Sequence, residues 1–296
     1  MIGLDRSQAG PARPHRRALV RGPRTLPPGL RQPAALIGLF LLLGVVLMAL
    51  LAGILAPGDP LRPAGPPLLP PSAGHPLGTD DLGRDLLAMV LHGSRTSLLV
   101  GLAVAALSGL LGTLVGAVAG YRGRRVDDAL MRLTELVQVV PRFFLLLVAA
   151  ALFGPSLGLT ILLLGLTFWP GIARLLRAQV LSLREREFIL AARALGAPDR
   201  RILRRHVLPN ALPVALAAMA LQVGTAILVE AGLSFLGLGD RTLLSWGYLL
   251  NGAQPFLRTA WWMSVFPGLA IALTVLAVNL VADGLGAALD PRQQRR

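Results

Sequence analysis

Long runs of apolar residues alternate with short segments that carry arginine along the whole chain. The first run, residues 33–56, has 24 residues and no charged side chain, and a second uncharged run covers residues 96–121. A helix needs about 20 apolar residues to cross the hydrocarbon core of a bilayer. The apolar part of a cleaved signal peptide is shorter, about 7–15 residues. We therefore predict that both runs are membrane-spanning helices and that the first is retained.

The apolar stretch between Arg142 and Arg174 is interrupted by Gly-Pro-Ser at positions 154–156. One helix does not continue through such a break, and the 31 uncharged residues between the two arginines are short for two full spans. We therefore predict a third span that begins near Leu136 with a kink at Pro141, and a fourth span that covers the region from about Leu157 to Ile172. The Gly-Pro-Ser segment is predicted to form a tight turn between these two spans.

Two further uncharged runs, residues 206–229 and 259–282, bring the predicted number of spans to six. The predicted fold class is an all-α membrane protein with both termini on the same side. Twenty-four of the 29 arginines fall on the side that holds the termini, and five fall on the other side. Because arginine is enriched in cytoplasmic segments, we predict that both termini are cytoplasmic and that the chain lies in the inner (cytoplasmic) membrane.

The predicted spans divide the chain into five segments. They are an Arg/Pro-rich cytoplasmic arm (1–32), the first span (33–56), an extracytoplasmic loop (57–95), a five-span core (96–289) with a long cytoplasmic loop at about 184–210, and a cytoplasmic tail (290–296). The seven arginines of the arm suit contact with anionic lipid.

Composition supports a lipid bilayer as the environment of this chain. Hydrophobic residues make up 54% of the sequence and charged residues only 15%, whereas a soluble domain carries about a quarter charged residues. The net charge of +14 is a feature of nucleic-acid-binding proteins, but here the arginines lie in short connections between apolar runs. We therefore predict no nucleic-acid partner. The absence of cysteine excludes disulfides and thiolate metal ligands.

Three glycines of the second predicted span, Gly112, Gly116 and Gly120, are spaced four residues apart. This spacing places them on one face of a helix, where the lack of side chains lets another helix approach closely. The pattern predicts tight packing and does not identify the partner helix.

The longest predicted cytoplasmic connection contains the sequence REREFILAARALGAPDRRILRRHVLPN and is the most arginine-rich loop of the chain. Residues 187–195 favour a helix, and Gly196 suits the left-handed position that follows a helix end. Pro198 suits the first position of a second helix with Asp199 in its first turn, and Pro209 predicts a break at the membrane edge. An amphipathic helix that lies on anionic headgroups is the alternative, but such a helix needs no glycine hinge.

This loop resembles the cytoplasmic signature loop of permease subunits of binding-protein-dependent ABC importers. In that signature Glu-Ala-Ala is followed after three residues by Gly and after nine more by Ile-x-Leu-Pro, and the matching positions here are Ala191, Ala192, Gly196, Leu208 and Pro209. Leu190 and His206 stand where the signature has Glu and Ile. Both departures resemble the dipeptide/oligopeptide branch, whose loop commonly ends in His-x-Leu-Pro-Asn.

Three other stretches resemble the same branch and occur in the same order along the chain. They are residues 75–98, 229–239 and 266–292. The resemblance implies a type I ABC importer permease fold with six transmembrane helices and a coupling helix, around residues 191–202, that docks on an ATPase. The residues that it assigns to ATPase docking and coupling are Ala191, Ala192, Gly196, Pro198, Asp199, Arg200, Leu208 and Pro209.

The resemblance also implies partners: a second permease subunit, two ATPase subunits and an extracytoplasmic solute-binding protein. The second permease is expected to be a distinct paralogue, and a homodimer stays open. ATP and Mg²⁺ are expected on the ATPase subunits, and no cofactor is expected on this chain. The sequence agrees independently, because a P-loop requires a lysine and the chain has none. Dipeptides and oligopeptides are the expected substrates, and nickel chelates and other small solutes stay open.

Two other functions fit the sequence less well. An ion-coupled secondary transporter usually carries ionisable groups deep in the membrane, whereas Glu230 and Asp283 lie near predicted span ends, where end-capping or interhelical hydrogen bonding explains them. A serine hydrolase would use the Gly-x-Ser-x-Gly pattern of residues 154–158, but that pattern requires a strand-turn-helix and here lies on a turn between spans. We therefore predict a transport subunit that is not an enzyme.

Two segments of the predicted extracytoplasmic side are candidates for contact with the solute-binding protein. They are residues 75–95 and residues 240–258, the second of which contains Trp246 and Tyr248. Trp261 and Trp262 are interpreted as aromatic anchors at the membrane surface.

Overall fold

The computed structural model describes residues 32–289, so the predicted tail and all of the predicted arm except Gln32 lie outside the described residues. Over this range the chain is mostly helical, with an irregular segment at residues 57–85, and its β contacts are two isolated bridges. The helices are α1 (Pro33–Leu55), α2 (Leu86–Arg122), α3 (Arg124–Val139), α4 (Arg142–Phe153), α5 (Leu157–Arg184), α6 (Glu187–Ala194), α7 (Asp199–Ile202), α8 (Leu208–Phe235), α9 (Trp246–Ala253) and α10 (Trp262–Leu289). A π-helical segment, Leu203–Val207, joins α7 to α8.

Five helical stretches within residues 32–289 are long and apolar enough to cross a membrane: α1, α2, α5, the continuous stretch Asp199–Phe235, and α10. α3 and α4 together meet the same criteria, but they are bent by 68° at their junction. The bend lies at Pro141, which has no amide hydrogen to continue the helical hydrogen bonds. The predicted all-α membrane fold is confirmed, with six spans when the bent pair counts as one.

α2 begins ten residues before the predicted second span, inside the predicted loop 57–95. Asp85 caps its first turn by accepting a hydrogen bond from the amide of Ala88 (2.9 Å). Arg95 does not end the helix, because its guanidinium donates to the carbonyl oxygen of Ala49 in α1 (2.7 Å). The predicted second span is therefore part of a longer helix whose first turns lie in the predicted loop, since a charged side chain with a backbone acceptor in reach is tolerated within a helix.

The glycine face of α2 packs against α5. A Cβ atom on Gly112 would lie 2.7 Å from the Cβ of Ile172 and 2.8 Å from the carbonyl oxygen of Trp169. A Cβ atom on Gly120 would lie 2.8 Å from the carbonyl oxygen of Arg177. Such distances leave no room for a side chain, so the glycines allow the two backbones to come into contact. The predicted tight packing is present, and α5 is the partner helix.

Buried side chains form three hydrophobic clusters along the bundle. One of them contains Trp246, which is fully buried and donates from its indole Nε1 to the carbonyl oxygen of Val90 (3.0 Å). A second cluster joins α2, α5 and α8 to the segment 187–207. The bundle is therefore packed both around α9 and around the connection between α5 and α8.

Two tryptophans have roles other than the predicted ones. Trp262 is buried, and its indole Nε1 donates to the carbonyl oxygen of Thr79 (3.0 Å), so it ties segment 57–85 to α10 instead of anchoring the chain at a membrane surface. Trp246 is buried as well, so its side chain does not form part of a surface for a solute-binding protein. Trp261 is exposed, in keeping with an anchor.

Candidate functional site

The long connection between α5 and α8 folds as two short helices joined at a glycine. α6 ends at Ala194, and Gly196 has a φ of +77°, in the left-handed region that glycine adopts without strain. The amide of Gly196 donates to the carbonyl of Arg193 (3.0 Å), and the amide of Ala197 donates to the carbonyl of Ala192 (3.1 Å). These bonds close the end of α6, and they give the predicted order of helix, left-handed glycine and helix.

Two prolines of this connection behave differently from the prediction. Pro198 precedes α7 with an extended backbone, so the helix begins one residue later, at Asp199. Pro209 does not end the helix, because the π-helical segment 203–207 leads directly into α8. The wider π turn just before Pro209 relieves the clash between the proline ring and the carbonyl one turn earlier. The break predicted at Pro209 is therefore wrong.

The two short helices bury one face in the protein and expose the other. Ile189 and Ile202 are fully buried in the cluster that contains residues of α2, α5 and α8. Leu190 is 50% exposed and Leu195 is 88% exposed. A helix lying on lipid headgroups would turn its apolar side chains to the bilayer, whereas Ile189 and Ile202 here turn into the protein. Leu190 and Leu195, together with Phe188 at 46% exposure, are apolar side chains on the exposed side.

Side chains of α2 and α5 brace this connection. The hydroxyl of Tyr121 donates to Asp199 Oδ1 (2.7 Å), which joins the end of α2 to the start of α7. Arg184 Nη1 donates to the carbonyl of Gly120 (3.3 Å). Nearby, Arg177 of α5 donates twice to the carboxylate of Asp127 in α3 (2.5 and 2.7 Å). The connection is thus attached to the bundle by the hydrogen bond between Tyr121 and Asp199 as well as by its buried isoleucines, while the two arginines fasten α5 to α2 and α3 beside it.

Six of the eight predicted docking and coupling residues are exposed and two are half-buried. The exposed residues are Ala191, Gly196, Pro198, Asp199, Arg200 and Pro209, and the half-buried residues are Ala192 and Leu208. Those from 191 to 200 lie together in the two short helices and their glycine turn, whereas Leu208 and Pro209 lie beyond the π-helical segment. Leu195 lies inside the coupling segment predicted at residues 191–202, although it is not one of the eight assigned residues. Tyr121 was not predicted, because no local pattern in the sequence indicates its contact with Asp199.

A buried polar junction joins α8 to α9 at a distance from this connection. The carboxylate oxygen Oε1 of Glu230 accepts hydrogen bonds from the hydroxyls of Ser234 (2.7 Å) and Ser245 (2.9 Å). Ser245 in turn caps α9 by accepting from the amide of Tyr248 (3.2 Å). The amide of Trp246 donates to the hydroxyl of Ser97 in α2 (3.2 Å). Glu230 was interpreted either as an end cap or as a partner in interhelical hydrogen bonding. The structure shows the second, through the bond from Ser245.

Replacing Glu230 by alanine is expected to lower the stability of the protein by about 2–3 kcal/mol. The change leaves two buried hydroxyls without their acceptor, which costs more than the loss of an exposed hydrogen bond. Glu230→Gln is the matched control, since its amide oxygen can still accept both bonds. Thermal unfolding of the detergent-purified variants measures the difference, and equal midpoints for Glu230→Ala and the native protein would contradict this role.

The turn between α4 and α5 is held by two side chains. Ser156 caps α5 by accepting from the amide of Leu159 (3.3 Å), so the serine of the Gly-x-Ser-x-Gly pattern acts as a helix cap. Asp240 accepts from the amide of Leu157 (3.1 Å) and from the hydroxyl and the amide of Thr242 (2.6 and 2.9 Å). The hydroxyl bond from Thr242, together with the backbone bonds, holds the pKa of Asp240 below its ordinary value despite partial burial.

Comparison with known proteins places the chain in a family. Residues 112–295 match the family described as binding-protein-dependent transport system inner membrane component. The dipeptide transport system permease protein DppC of Bacillus subtilis is 40% identical over 264 residues, which are 88% of this chain and 82% of that protein. A putative peptide transport system permease protein of Brucella suis is 42% identical over 265 residues, which are 89% of both chains.

The fold is also similar to that of a solved chain of the methionine ABC transporter MetNI in an inward-facing conformation. The TM-score is 0.55 at 20% sequence identity, over 68% of this chain and 96% of that chain. At this identity the likeness concerns the fold alone, and it agrees with the type I permease fold expected from the sequence. The match over more than half of the chain and the two permease relatives together show that this protein belongs to the binding-protein-dependent transport system inner membrane component family, as an ABC importer permease of the peptide branch.

Proposed function

We propose that this chain imports dipeptides and oligopeptides as the membrane-spanning subunit of an ATP-driven transporter. The names of its relatives, a dipeptide permease and a peptide permease, support this substrate class. Its partners are a second permease subunit of distinct sequence, two ATPase subunits that bind ATP and Mg²⁺, and an extracytoplasmic solute-binding protein. The chain lies in the inner membrane with both termini in the cytoplasm. The family membership favours this function over an ion-coupled secondary transporter.

The proposal for ATPase docking rests on the exposed side of the α6–Gly196–α7 segment. Leu195 stands at its tip with 88% of its surface exposed, next to a glycine whose left-handed backbone fixes the direction of the tip. Covering one leucine side chain contributes about 1.5–3 kcal/mol. A groove on an ATPase subunit that receives Leu195 and Leu190 would therefore gain much of its affinity from these two side chains.

The bracing of this segment supports a mechanism in which it moves together with the spans. Ile189 and Ile202 are packed in one cluster with residues of α2, α5 and α8, and Tyr121 holds Asp199. Closure of the ATPase dimer would displace α6 and α7, and their buried contacts would carry the displacement into these three spans. The chain would then alternate between inward-open and outward-open states, with ATP shifting the balance between them.

Replacing Leu195 by aspartate tests the proposal. The variant is expected to bind the ATPase at least about tenfold more weakly, since the apolar contact is lost and a charge must be desolvated. The measurement is the amount of ATPase that co-purifies with the chain from cells that express it with the subunits encoded by neighbouring genes. Leu257→Asp is the matched control, because Leu257 is also exposed but lies between α9 and α10.

The outcome separates docking from transport. Loss of the ATPase from Leu195→Asp but not from Leu257→Asp would support the docking surface, and uptake of labelled dipeptides by the native transporter would support the substrate class. Retention of the ATPase by Leu195→Asp would show that docking lies elsewhere. A native chain that purifies alone and transports solute with a proton or sodium gradient would contradict the ATP-driven function.

A further inference from the structure

Four arginines follow Pro198 on the stretch that leads into α8: Arg200, Arg201, Arg204 and Arg205. All four are exposed, and together with Pro198 they line an open cavity of about 540 Å³. No acidic residue lines this cavity. We call this surface the arginine cluster.

Other arginines of the same bundle are already engaged. Arg177 is paired with Asp127, Arg184 donates to backbone carbonyls, and the guanidinium of Arg142 lies 4.8 Å above the ring of Phe168. Within residues 32–289 none of the four arginines of the cluster has an ion pair or a side-chain hydrogen bond. The adjacent acid, Asp199, already accepts a hydrogen bond from Tyr121. The cluster is thus a concentration of positive charge without a partner in the described part of the chain.

The position of the cluster along the helix matches the headgroup layer of a bilayer. The uncharged run that belongs to α8 ends at Val229, and about 20 residues of helix fill the hydrocarbon core. Counting back from Val229 places the edge of the core near Asn210. Arg205 lies five residues further, about 8 Å along the axis at about 1.5 Å per residue. Each headgroup layer is about 5–8 Å thick, so Arg205 lies at headgroup depth and Arg204, about 9 Å from the edge, lies just beyond it.

The surface on either side of this edge agrees with contact to lipid. Leu212 and Leu216 are four residues apart on α8, and they are 37% and 50% exposed. They lie beyond residues 206–211, so exposed basic residues on one side of the calculated edge of the core give way to exposed apolar residues on the other. The long side chains of Arg200 and Arg201 can extend back toward the same layer.

We propose that the arginine cluster binds the phosphate headgroup of an anionic phospholipid. Guanidinium groups pair with phosphate oxygens through two parallel hydrogen bonds, and four of them on one surface favour a negatively charged headgroup over a zwitterionic one. A lipid bound here would hold the base of α7 at the membrane surface. The proposal does not depend on the identity of the transported solute or on the docking role of Leu195. It assigns Arg200, which the family resemblance places among the ATPase docking residues, to the lipid instead.

The test uses the full chain, purified in detergent with any subunits that accompany it. Short-chain phosphatidylglycerol is titrated, and its binding is followed by native mass spectrometry against short-chain phosphatidylcholine. Phosphatidylglycerol is expected to bind more tightly. The double variant R204Q/R205Q is expected to weaken this binding about 25-fold, at about fivefold for each arginine. R122Q/R125Q removes two other exposed arginines and is expected to leave the affinity unchanged.

Three results would overturn the proposal. Equal binding of the two lipids would show that the cluster does not select charge, and displacement of phosphatidylglycerol by an equal concentration of inorganic phosphate would show a site for free phosphate. Normal lipid binding by R204Q/R205Q with loss of the ATPase would assign the surface to the ATPase instead. If the double variant does not fold, the single variants R204Q and R205Q carry the same comparison at about fivefold each.

Discussion

Replacing Gly112 by leucine is expected to leave little folded protein in the membrane. A Cβ atom at this position would already lie 2.8 Å from the carbonyl oxygen of Trp169, and backbone atoms of α5 move only with the whole helix. Overpacking by single methylene groups costs about 1–3 kcal/mol, and a leucine adds four carbon atoms at a point where α2 and α5 are already in backbone contact. The yield of monodisperse protein after detergent extraction, together with its thermal unfolding midpoint, measures the effect.

Gly171→Leu is the matched control for this experiment. Gly171 lies in α5, and no atom lies within 4 Å of the place where its Cβ would be. A leucine there is expected to be neutral or slightly stabilising, because leucine has a higher helix propensity than glycine by roughly 1 kcal/mol. If the two variants unfold at the same temperature, α2 and α5 do not pack through their glycine face.

Replacing Gly196 by proline is expected to abolish ATPase binding while the membrane-spanning helices stay folded. Gly196 has a φ of +77°, whereas the proline ring fixes φ near −65°. Proline also removes the amide hydrogen that donates to the carbonyl of Arg193. The turn between α6 and α7 must therefore change direction, which displaces Leu195. The measurements are co-purification of the ATPase and the thermal unfolding midpoint of the chain.

Two other substitutions of Gly196 provide graded controls. Asparagine adopts the left-handed conformation more readily than other L residues, so Gly196→Asn is expected to keep most of the ATPase. Gly196→Ala is expected to fall between the two, since a left-handed alanine costs about 1–2 kcal/mol. Full ATPase recovery with Gly196→Pro would show that the turn does not position the docking surface.

The lengths of the uncharged runs were enough to predict the membrane spans. Four of the five runs of 24 residues or more fall largely on one long helical stretch each, because a helix is the structure that satisfies its own backbone hydrogen bonds in lipid. The fifth run, 143–173, is divided between α4 and α5 by the turn at residues 154–156. The start of α2 was not predictable in this way. Arg95 ends the uncharged run, and only the three-dimensional arrangement shows that it reaches a carbonyl of α1.

In the candidate site, too, contacts between sequence neighbours were predictable and contacts between distant residues were not. The glycine turn between α6 and α7 was predictable because the residues that form it are neighbours in sequence. Tyr121 and Asp199 are 78 residues apart, so the hydrogen bond between them depends on how α2 and the following helices pack. The burial of Trp262 depends likewise on segment 57–85, which has little regular secondary structure.

α2 is long enough to connect the two opposite faces of the protein. Its 37 residues extend about 55 Å, well beyond the hydrocarbon core, and both of its ends are fastened. At one end Tyr121 holds Asp199, and at the other end Asp85 pairs with His75 (2.7 Å). A tilt of about ten degrees about one end would displace the other by about 10 Å, given the rise per residue of a helix. Because the glycine face of α2 is packed on α5, such a tilt would carry α5 and the segment around His75 with it to the opposite face of the protein.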